Sequence, residues 1–132
     1  MKKILHIFMV LFLVGCYSPN KLKEIKYEEI FKVIEKRYIV LFFSSSCKAC
    51  LNTLELLNKR IEKEKYRVFS VKTDDLEIKY ISQKNTNIGV NNYCDIKLST
   101  LPYLIFIEEK TISKELFGYS QIHKENLYIF FE

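Results

Sequence analysis

Two cysteines in the middle of the chain, Cys47 and Cys50, are separated by two residues. They follow an unbroken apolar run of strand length, residues 38–43, and precede an amphipathic helical pattern over residues 51–65. On the first turn of a helix this spacing brings two sulfurs close enough to form a disulfide or to share a metal ion. A thiol at a helix N-terminus also faces unpaired backbone N–H groups and the positive end of the helix dipole, which stabilise a thiolate. Cys47, with the positive charge of Lys48 beside it, is therefore the candidate nucleophile, and Cys50 is its partner.

A structural zinc site is the alternative use of this cysteine pair. Zinc needs further ligands, and beyond Cys16 the chain offers only Cys94, His123 and His6, with no second C-x-x-C pair. We therefore expect no metal. We interpret Cys94 as a small buried hydrophobic residue, with a resolving thiol as the alternative, and His123 as a surface residue.

The N-terminus, MKKILHIFMVLFLVGC, has two lysines and an apolar stretch too short to span a bilayer as a mature helix. This is the pattern of a secretory signal. The letters LVGC, residues 13–16, resemble a lipobox of bacterial lipoproteins, which implies cleavage before Cys16 and lipidation of its sulfur. Two or three acyl chains would give stable anchoring to a lipid bilayer. We predict a signal peptide over residues 1–15, a lipidated tether over residues 16–24 and one domain over residues 25–132.

This prediction places the domain in the cell envelope, as a membrane-anchored lipoprotein facing the periplasm or the exterior, where disulfides persist. Composition agrees with one globular domain, since the 132 residues are 48% hydrophobic and 28% charged. With 3 glycines and 2 prolines there is no glycine-rich phosphate loop to find. The net charge of +5 falls to +3 without Lys2 and Lys3, which is too mild to indicate a nucleic-acid binder.

The remaining patterns predict alternating elements along the chain. In order these are a helix over residues 25–36, a strand over 38–43, a helix over 51–65, a strand over 66–71, a helix over 76–83, strands over 103–107 and 112–117, and a helix over 121–131. A β–α–β start followed by a hairpin predicts an α/β fold, with a mixed central β-sheet and helices on both faces.

Four stretches carry a resemblance to a known family: YIVLFFSSSCKACLNTLELLNK, YRVFSVKTDD, LSTLPYLIFIE and ISKELFGYSQ. From about residue 36 onward the chain is similar to the membrane-anchored, thioredoxin-like thiol–disulfide oxidoreductases of bacterial envelopes. The resemblance implies a thioredoxin-like fold, with a cis peptide at Pro102 packed against Cys47. It also implies that the backbone of Leu101 pairs with a bound substrate chain and that Thr100 lines the same groove. Gly118 fits the glycine that follows the family's last strand.

The sequence departs from the family at three places. Ser46 stands where an aromatic residue usually precedes the first cysteine, and Lys-Ala replaces the Gly-Pro or Pro-Pro often found between the cysteines. Leu41 stands where cytoplasmic thioredoxins have a buried aspartate. Proton removal from Cys50 would then rely on water or on another group; Glu55 in the following helix is one candidate, although a surface position fits it equally well.

These observations predict an envelope thiol–disulfide exchange enzyme without an organic cofactor. Cys47 would attack a disulfide and Cys50 would resolve the mixed disulfide. The expected partners are extracytoplasmic proteins with thiols or disulfides, a membrane redox partner and the lipid bilayer. A metallochaperone of the same fold is one alternative, although such proteins tend to have three residues between their cysteines. A peroxidase is disfavoured because no proline precedes Ser44, and a non-catalytic binding lipoprotein is the last alternative.

Overall fold

The computed structural model of the chain describes residues 22–61, 65–76, 86–118, 121–122 and 124–132. The predicted signal peptide, Cys16, His123 and nearly all of the helix predicted over residues 76–83 lie outside these ranges. None of the helices within the described ranges combines the length and the apolar character needed to cross a membrane.

A five-stranded mixed sheet forms the centre of the fold, with strand order β1-β3-β2-β4-β5. The strands are β1 (Lys23–Glu24), β2 (Arg37–Phe43), β3 (Arg67–Lys72), β4 (Tyr103–Glu108) and β5 (Thr111–Phe117), and the helices are α1 (Lys48–Arg60) and α2 (Lys124–Phe131). β3 runs parallel to both β1 and β2, whereas β4 is antiparallel to both β2 and β5. The predicted mixed central sheet with flanking helices is confirmed, and both described α-helices cover the same face of it.

The central strand β2 is buried on both faces, which explains its unbroken apolar sequence. Ile39 and Leu41 point to the face that α1 and α2 cover. Val40 and Phe42 point to the opposite face, where the irregular chain around two 3₁₀ helices, Tyr27–Glu29 and Tyr93–Asp95, packs against the sheet. Each sheet face therefore has its own apolar core.

The helix predicted over residues 25–36 is wrong. This stretch continues from β1, where the Ile25 N–H donates to the Ser70 carbonyl at 2.8 Å, and then forms only the 3₁₀ helix Tyr27–Glu29. The Tyr38 hydroxyl donates to the Ile30 carbonyl inside the core. A side chain therefore supplies the hydrogen bond to this carbonyl that a backbone N–H would supply in a helix. Burial raises the pKa of Tyr38 to about 12. β1 was not predicted, and its residues Lys23–Glu24 come from the end of the predicted tether.

Two leucines on α1 provide a test of this packing. Leu57 is fully buried against the sheet, whereas Leu51 on the same helix is 49% exposed. We expect Leu57→Ala to lower the free energy of unfolding by about 2–5 kcal/mol, because it removes buried methyl groups and leaves a cavity. Leu51→Ala should change it by no more than about 0.5 kcal/mol. Urea titration of both variants measures this difference, and equal losses would contradict the burial of α1 as described.

Candidate redox site at the carboxyl end of strand β2

Cys47 and Cys50 form a disulfide with a Cα–Cα distance of 5.2 Å. Cys47 is the N-cap of α1, and the Cys50 N–H donates to the Cys47 sulfur at 3.1 Å. After reduction this N–H can hydrogen-bond the Cys47 thiolate, which is how a helix N-terminus stabilises one. Cys50 is fully buried and Cys47 is partly exposed. Of the two sulfurs, that of Cys47 is therefore the one that another protein can reach.

Strand register brings Pro102 to the same end of the sheet as the disulfide. Phe42 near the end of β2 lies opposite Tyr103 at the start of β4. The segment that follows β2 toward Cys47 and the segment that leads from Pro102 into β4 therefore lie at the same end of the sheet. The Leu101–Pro102 peptide bond is cis, as the resemblance implies. The structure thus brings Cys47 and Cys50 to the same end of the sheet as residues 100–102, which we call the proline loop. The substrate-binding roles of Thr100, Leu101 and Pro102 stay predictions.

Gly118 completes this end of the sheet. Its N–H donates to the Pro102 carbonyl at 2.9 Å, and its φ of +82° lies in the left-handed region that favours glycine. A Cβ at this position would lie 3.7 Å from the Thr100 side chain. Thr100 and Leu101 are partly exposed and Pro102 is buried. Thr100 and Leu101 are therefore accessible to solvent, whereas Pro102 is held in place by its contact with Gly118.

The loop before Cys47 is held by Asp74, a contact that the sequence did not reveal. The Asp74 carboxylate accepts hydrogen bonds from the backbone N–H of Ser45 at 3.1 Å and from its hydroxyl at 3.0 Å. Lys72 lies 3.6 Å from the same carboxylate. Partial desolvation acts to raise the pKa of Asp74, but the Ser45 hydrogen bonds and the Lys72 charge outweigh it and lower the pKa. We infer that Asp74 fixes the path by which β2 leads into the redox site.

A second polar cluster holds the chain that precedes Pro102. The buried Asn87 side chain donates to the Lys97 carbonyl at 2.7 Å and accepts from the Lys97 N–H at 2.9 Å. It thus makes the same pair of hydrogen bonds to Lys97 that the backbone of a neighbouring strand would make. It also donates to the Tyr103 hydroxyl, which in turn donates to Glu115. Burial, the Glu115 hydrogen bond and the Glu115 charge raise the pKa of Tyr103. These side-chain contacts, together with backbone hydrogen bonds of Gly89 and Val90 with Ile112, tie the chain before Pro102 to β4 and β5.

The positions considered for a proton acceptor hold no buried carboxylate. Leu41 is fully buried in the apolar core beneath α1. Glu55 is a surface residue whose carboxylate lies 3.1 Å from the Lys59 ammonium, one helical turn away. Neither residue therefore acts as a buried base toward Cys50.

Cys94 is exposed, so the prediction of a buried hydrophobic residue is wrong. The 3₁₀ helix Tyr93–Asp95 turns Tyr93 against the Tyr27 ring and leaves Cys94 at the surface. Burial and, secondly, the Cys94 charge raise the pKa of Tyr27 to about 12. A hydrogen bond with the Cys94 side chain raises the pKa of Tyr93. Within the described ranges, no three His, Cys, Asp or Glu side chains cluster as a metal site would require.

No protein-family model and no characterised protein matches the sequence. Solved structures do match. The thioredoxin of Malassezia sympodialis has a TM-score of 0.61 at 15% identity, over 85% of this chain and 89% of its own. The thioredoxin of Schistosoma mansoni has a TM-score of 0.57 at 20% identity, over 83% and 96% of the two chains. A thioredoxin f2 from its complex with ferredoxin:thioredoxin reductase has a TM-score of 0.53 at 11% identity, over 83% and 90%. The fold is the thioredoxin fold.

At these identities the likeness establishes the fold, and the chemistry must be argued from this chain's own residues. On this thioredoxin fold, Cys47 at the N-terminus of α1 is partly exposed and lies at the same end of the sheet as the cis peptide before Pro102. A thiolate formed there can attack a disulfide sulfur, and the neighbouring Cys50 can complete the exchange.

We predict that Asp74→Ala loosens the loop before Cys47. The variant should reduce insulin disulfides several-fold more slowly and unfold at a lower urea concentration at pH 7. Because the folded-state pKa of Asp74 is lowered, its stabilisation is complete above the unfolded value of about 3.9 and is lost as the pH falls through the folded pKa. The urea midpoints of wild type and variant should therefore converge on acidification below about pH 4.

Asp74→Asn is the matched control for this prediction. It keeps one acceptor oxygen for Ser45 without a titratable charge, so it should retain part of the stability and lose the pH-dependent difference. A constant gap between wild type and Asp74→Ala down to pH 2 would show that the carboxylate charge is not the stabilising feature.

Proposed function

We propose that this protein is a thiol–disulfide exchange enzyme of the cell envelope. The observation that carries the proposal is the Cys47–Cys50 disulfide at the N-terminus of α1, with one sulfur accessible and the other buried, on a thioredoxin fold. This arrangement supplies a nucleophile and a resolving thiol without any bound cofactor.

The reaction needs only the two thiols and the substrate disulfide. The Cys47 thiolate attacks one substrate sulfur, forms a mixed disulfide and displaces the other substrate sulfur as a thiolate. Cys50 then loses its proton to water or to that thiolate and attacks the Cys47 sulfur, which releases the second substrate thiol. The substrate gains two electrons and the protein is left with the Cys47–Cys50 disulfide; the reverse sequence oxidises a dithiol.

The proline loop is the proposed binding site for the substrate chain. Leu101 precedes the cis peptide and is partly exposed, as is Thr100, at the same end of the sheet as Cys47. An extended substrate segment pairing with the Leu101 backbone would bring its disulfide to the accessible sulfur. Pro102 has no backbone N–H to offer a substrate, and its carbonyl already accepts from the Gly118 N–H, so pairing with the substrate chain falls to Leu101.

Turnover in one direction requires a partner that restores the starting redox state of the cysteines. A matched thioredoxin f2 has a ferredoxin:thioredoxin reductase as its partner. For this chain we propose a membrane redox protein in that role, and extracytoplasmic proteins with thiols or disulfides as substrates. The location follows from the proposed lipidation of Cys16, supported by the short apolar leader that ends in LVGC.

Cys50→Ser should trap a mixed disulfide between Cys47 and its substrate, because the thiol that resolves the intermediate is missing. Cys47→Ser is the matched control and should trap little. We expect the trapped species on non-reducing gels of envelope extracts, and its loss with reductant.

The exposed Cys94 allows a further distinction in the same experiment. If Cys50→Ser traps partners only when Cys94→Ser is added, Cys94 acts as a resolving thiol. If neither variant traps a partner, and the wild type neither reduces insulin nor oxidises a dithiol peptide, thiol exchange is not the function and a binding role replaces it. A copper titration followed by absorbance tests the metallochaperone alternative, which requires that the reduced protein bind copper.

Lipidation predicts that cells grown with radioactive palmitate label the wild-type protein. Cys16→Ala should lose this label and release the protein from the membrane fraction, because the acylated sulfur is missing. Cys94→Ala removes a different cysteine and should leave the label in place. Persistent labelling of Cys16→Ala would show that the lipobox assignment is wrong.

A further inference from the structure

The end of the sheet opposite the disulfide is formed by three neighbouring segments, residues 32–37, 65–67 and 108–111, which we call the basal surface. β2 begins here at Arg37, which lies opposite Glu108 at the end of β4. β3 also begins here, at Arg67. The seven residues of β2, at about 3.3 Å each, separate the basal surface from the disulfide end by about 23 Å.

The basal surface carries an excess of positive charge. Two of its carboxylates are paired with arginine, Glu35 with Arg67 at 2.8 Å and Glu108 with Arg37 at 3.0 Å. The other charged side chains, all exposed, are four lysines and one glutamate: Lys32, Lys36, Lys65, Lys110 and Glu109. Six basic and three acidic residues therefore give this surface a net charge of +3. In the sequence, the adjoining segment 62–64 adds one negative charge and Lys21 adds one positive charge, which leaves the balance unchanged.

Among the residues that the structure describes, those at the disulfide end show no such excess. Lys48 and Lys72 are balanced there by Asp74 and Asp75, and Lys72 lies 3.6 Å from the Asp74 carboxylate. The described residues at the two ends of the sheet thus differ in net charge, and the positive excess lies at the end remote from the disulfide.

Ile34 projects from the basal surface with 94% of its side chain exposed. It lies two residues from Lys32 and two from Lys36, whereas its neighbour Val33 packs against the core. An exposed apolar side chain among lysines is the combination by which proteins bind an anionic bilayer, since the lysines attract headgroups and the apolar group inserts between them.

The chain reaches the domain from this same end. β1 is parallel to β3 and Lys23 lies opposite Phe69, the third residue of β3, so the chain arrives from the side on which β3 begins. Cys16 is six residues before Leu22, which allows a span of at most about 20 Å. A lipid anchor at Cys16 would therefore hold the basal surface close to the membrane.

We propose that the basal surface docks on the anionic lipid bilayer, with Ile34 inserted among the headgroups and the Cys47–Cys50 disulfide facing away. This inference rests on the proposed anchoring at Cys16 for its geometry, and on the charge and exposure of residues 32–37 for its chemistry. Docking fixes the orientation of the enzyme, so that the accessible sulfur is presented about 23 Å farther from the bilayer than the lysines are.

The chain contains no tryptophan, so Ile34→Trp introduces a single fluorescent probe into the basal surface. The lipidated protein is reconstituted in vesicles with brominated acyl chains, made of phosphatidylcholine alone or with phosphatidylglycerol. We expect strong quenching of the probe in the anionic vesicles and weak quenching in the neutral ones. Leu51→Trp, on the exposed side of α1 near the disulfide, is the matched probe and should not be quenched in either.

Charge is tested in the Ile34→Trp background. Each lysine near an anionic surface contributes about fivefold to binding, so Lys32→Gln with Lys36→Gln should shift the docking equilibrium about 25-fold and reduce the quenching. Lys48→Gln with Lys72→Gln removes the same charge from the opposite end and should leave the quenching unchanged. Higher ionic strength should mimic the first pair.

Two results would overturn the proposal: an unquenched probe at residue 34 in anionic vesicles, or equal quenching at residues 34 and 51. Flotation with neutral vesicles reports the lipid anchor separately, and insulin reduction on the same samples reports thiol exchange. If the anchor is absent, quenching at residue 34 after mixing with anionic vesicles still decides whether the basal surface docks.

Discussion

The register between β2 and β4 is the constraint on which the site depends. Phe42 opposite Tyr103 places the end of β2 and the start of β4 at one end of the sheet, and with them Cys47 and Pro102. A slip of one residue would turn every side chain of β2 to the other face. Because β2 is apolar on both faces, side-chain polarity alone specifies this register weakly. Polar contacts at the strand ends add to the specification of this register. They join Ser45 to Asp74, and Tyr103 to Asn87 and Glu115.

The features that the sequence predicted correctly are local ones. The buried strand, the cysteine pair at the start of α1 and the hairpin of β4 and β5 each depend on neighbours within a few residues, which a pattern records. The Ser45–Asp74 contact spans 29 residues, and the Asn87–Tyr103 contact spans 16. No spacing rule predicts such pairs, since they exist only after the strands have aligned. Sequence reasoning therefore found the reacting atoms and missed the groups that hold them.

The two wrong predictions have a common physical origin. Residues 25–36 have apolar side chains at helical spacing, and Cys94 is a residue type that is usually buried. In both cases the covering of the sheet face overrides the local tendency. The Ile25 N–H donates to the Ser70 carbonyl of β3, and Tyr93 takes the inward position against Tyr27 that leaves Cys94 outside. Where irregular chain covers a sheet, packing against that face decides which side chains turn inward, and periodicity does not.

With a leucine at position 41, the two steps of the proposed exchange reaction differ in what they need from the core. Cys47 is accessible and has the Cys50 N–H at 3.1 Å from its sulfur, so attack on a substrate needs nothing from the core. Cys50 is fully buried, and burial away from water disfavours a thiolate. Resolution of the mixed disulfide therefore depends on a proton acceptor brought by water or by the departing substrate thiolate. In the proposed reaction, the substrate thiolate displaced in the first step can therefore accept the Cys50 proton in the second step.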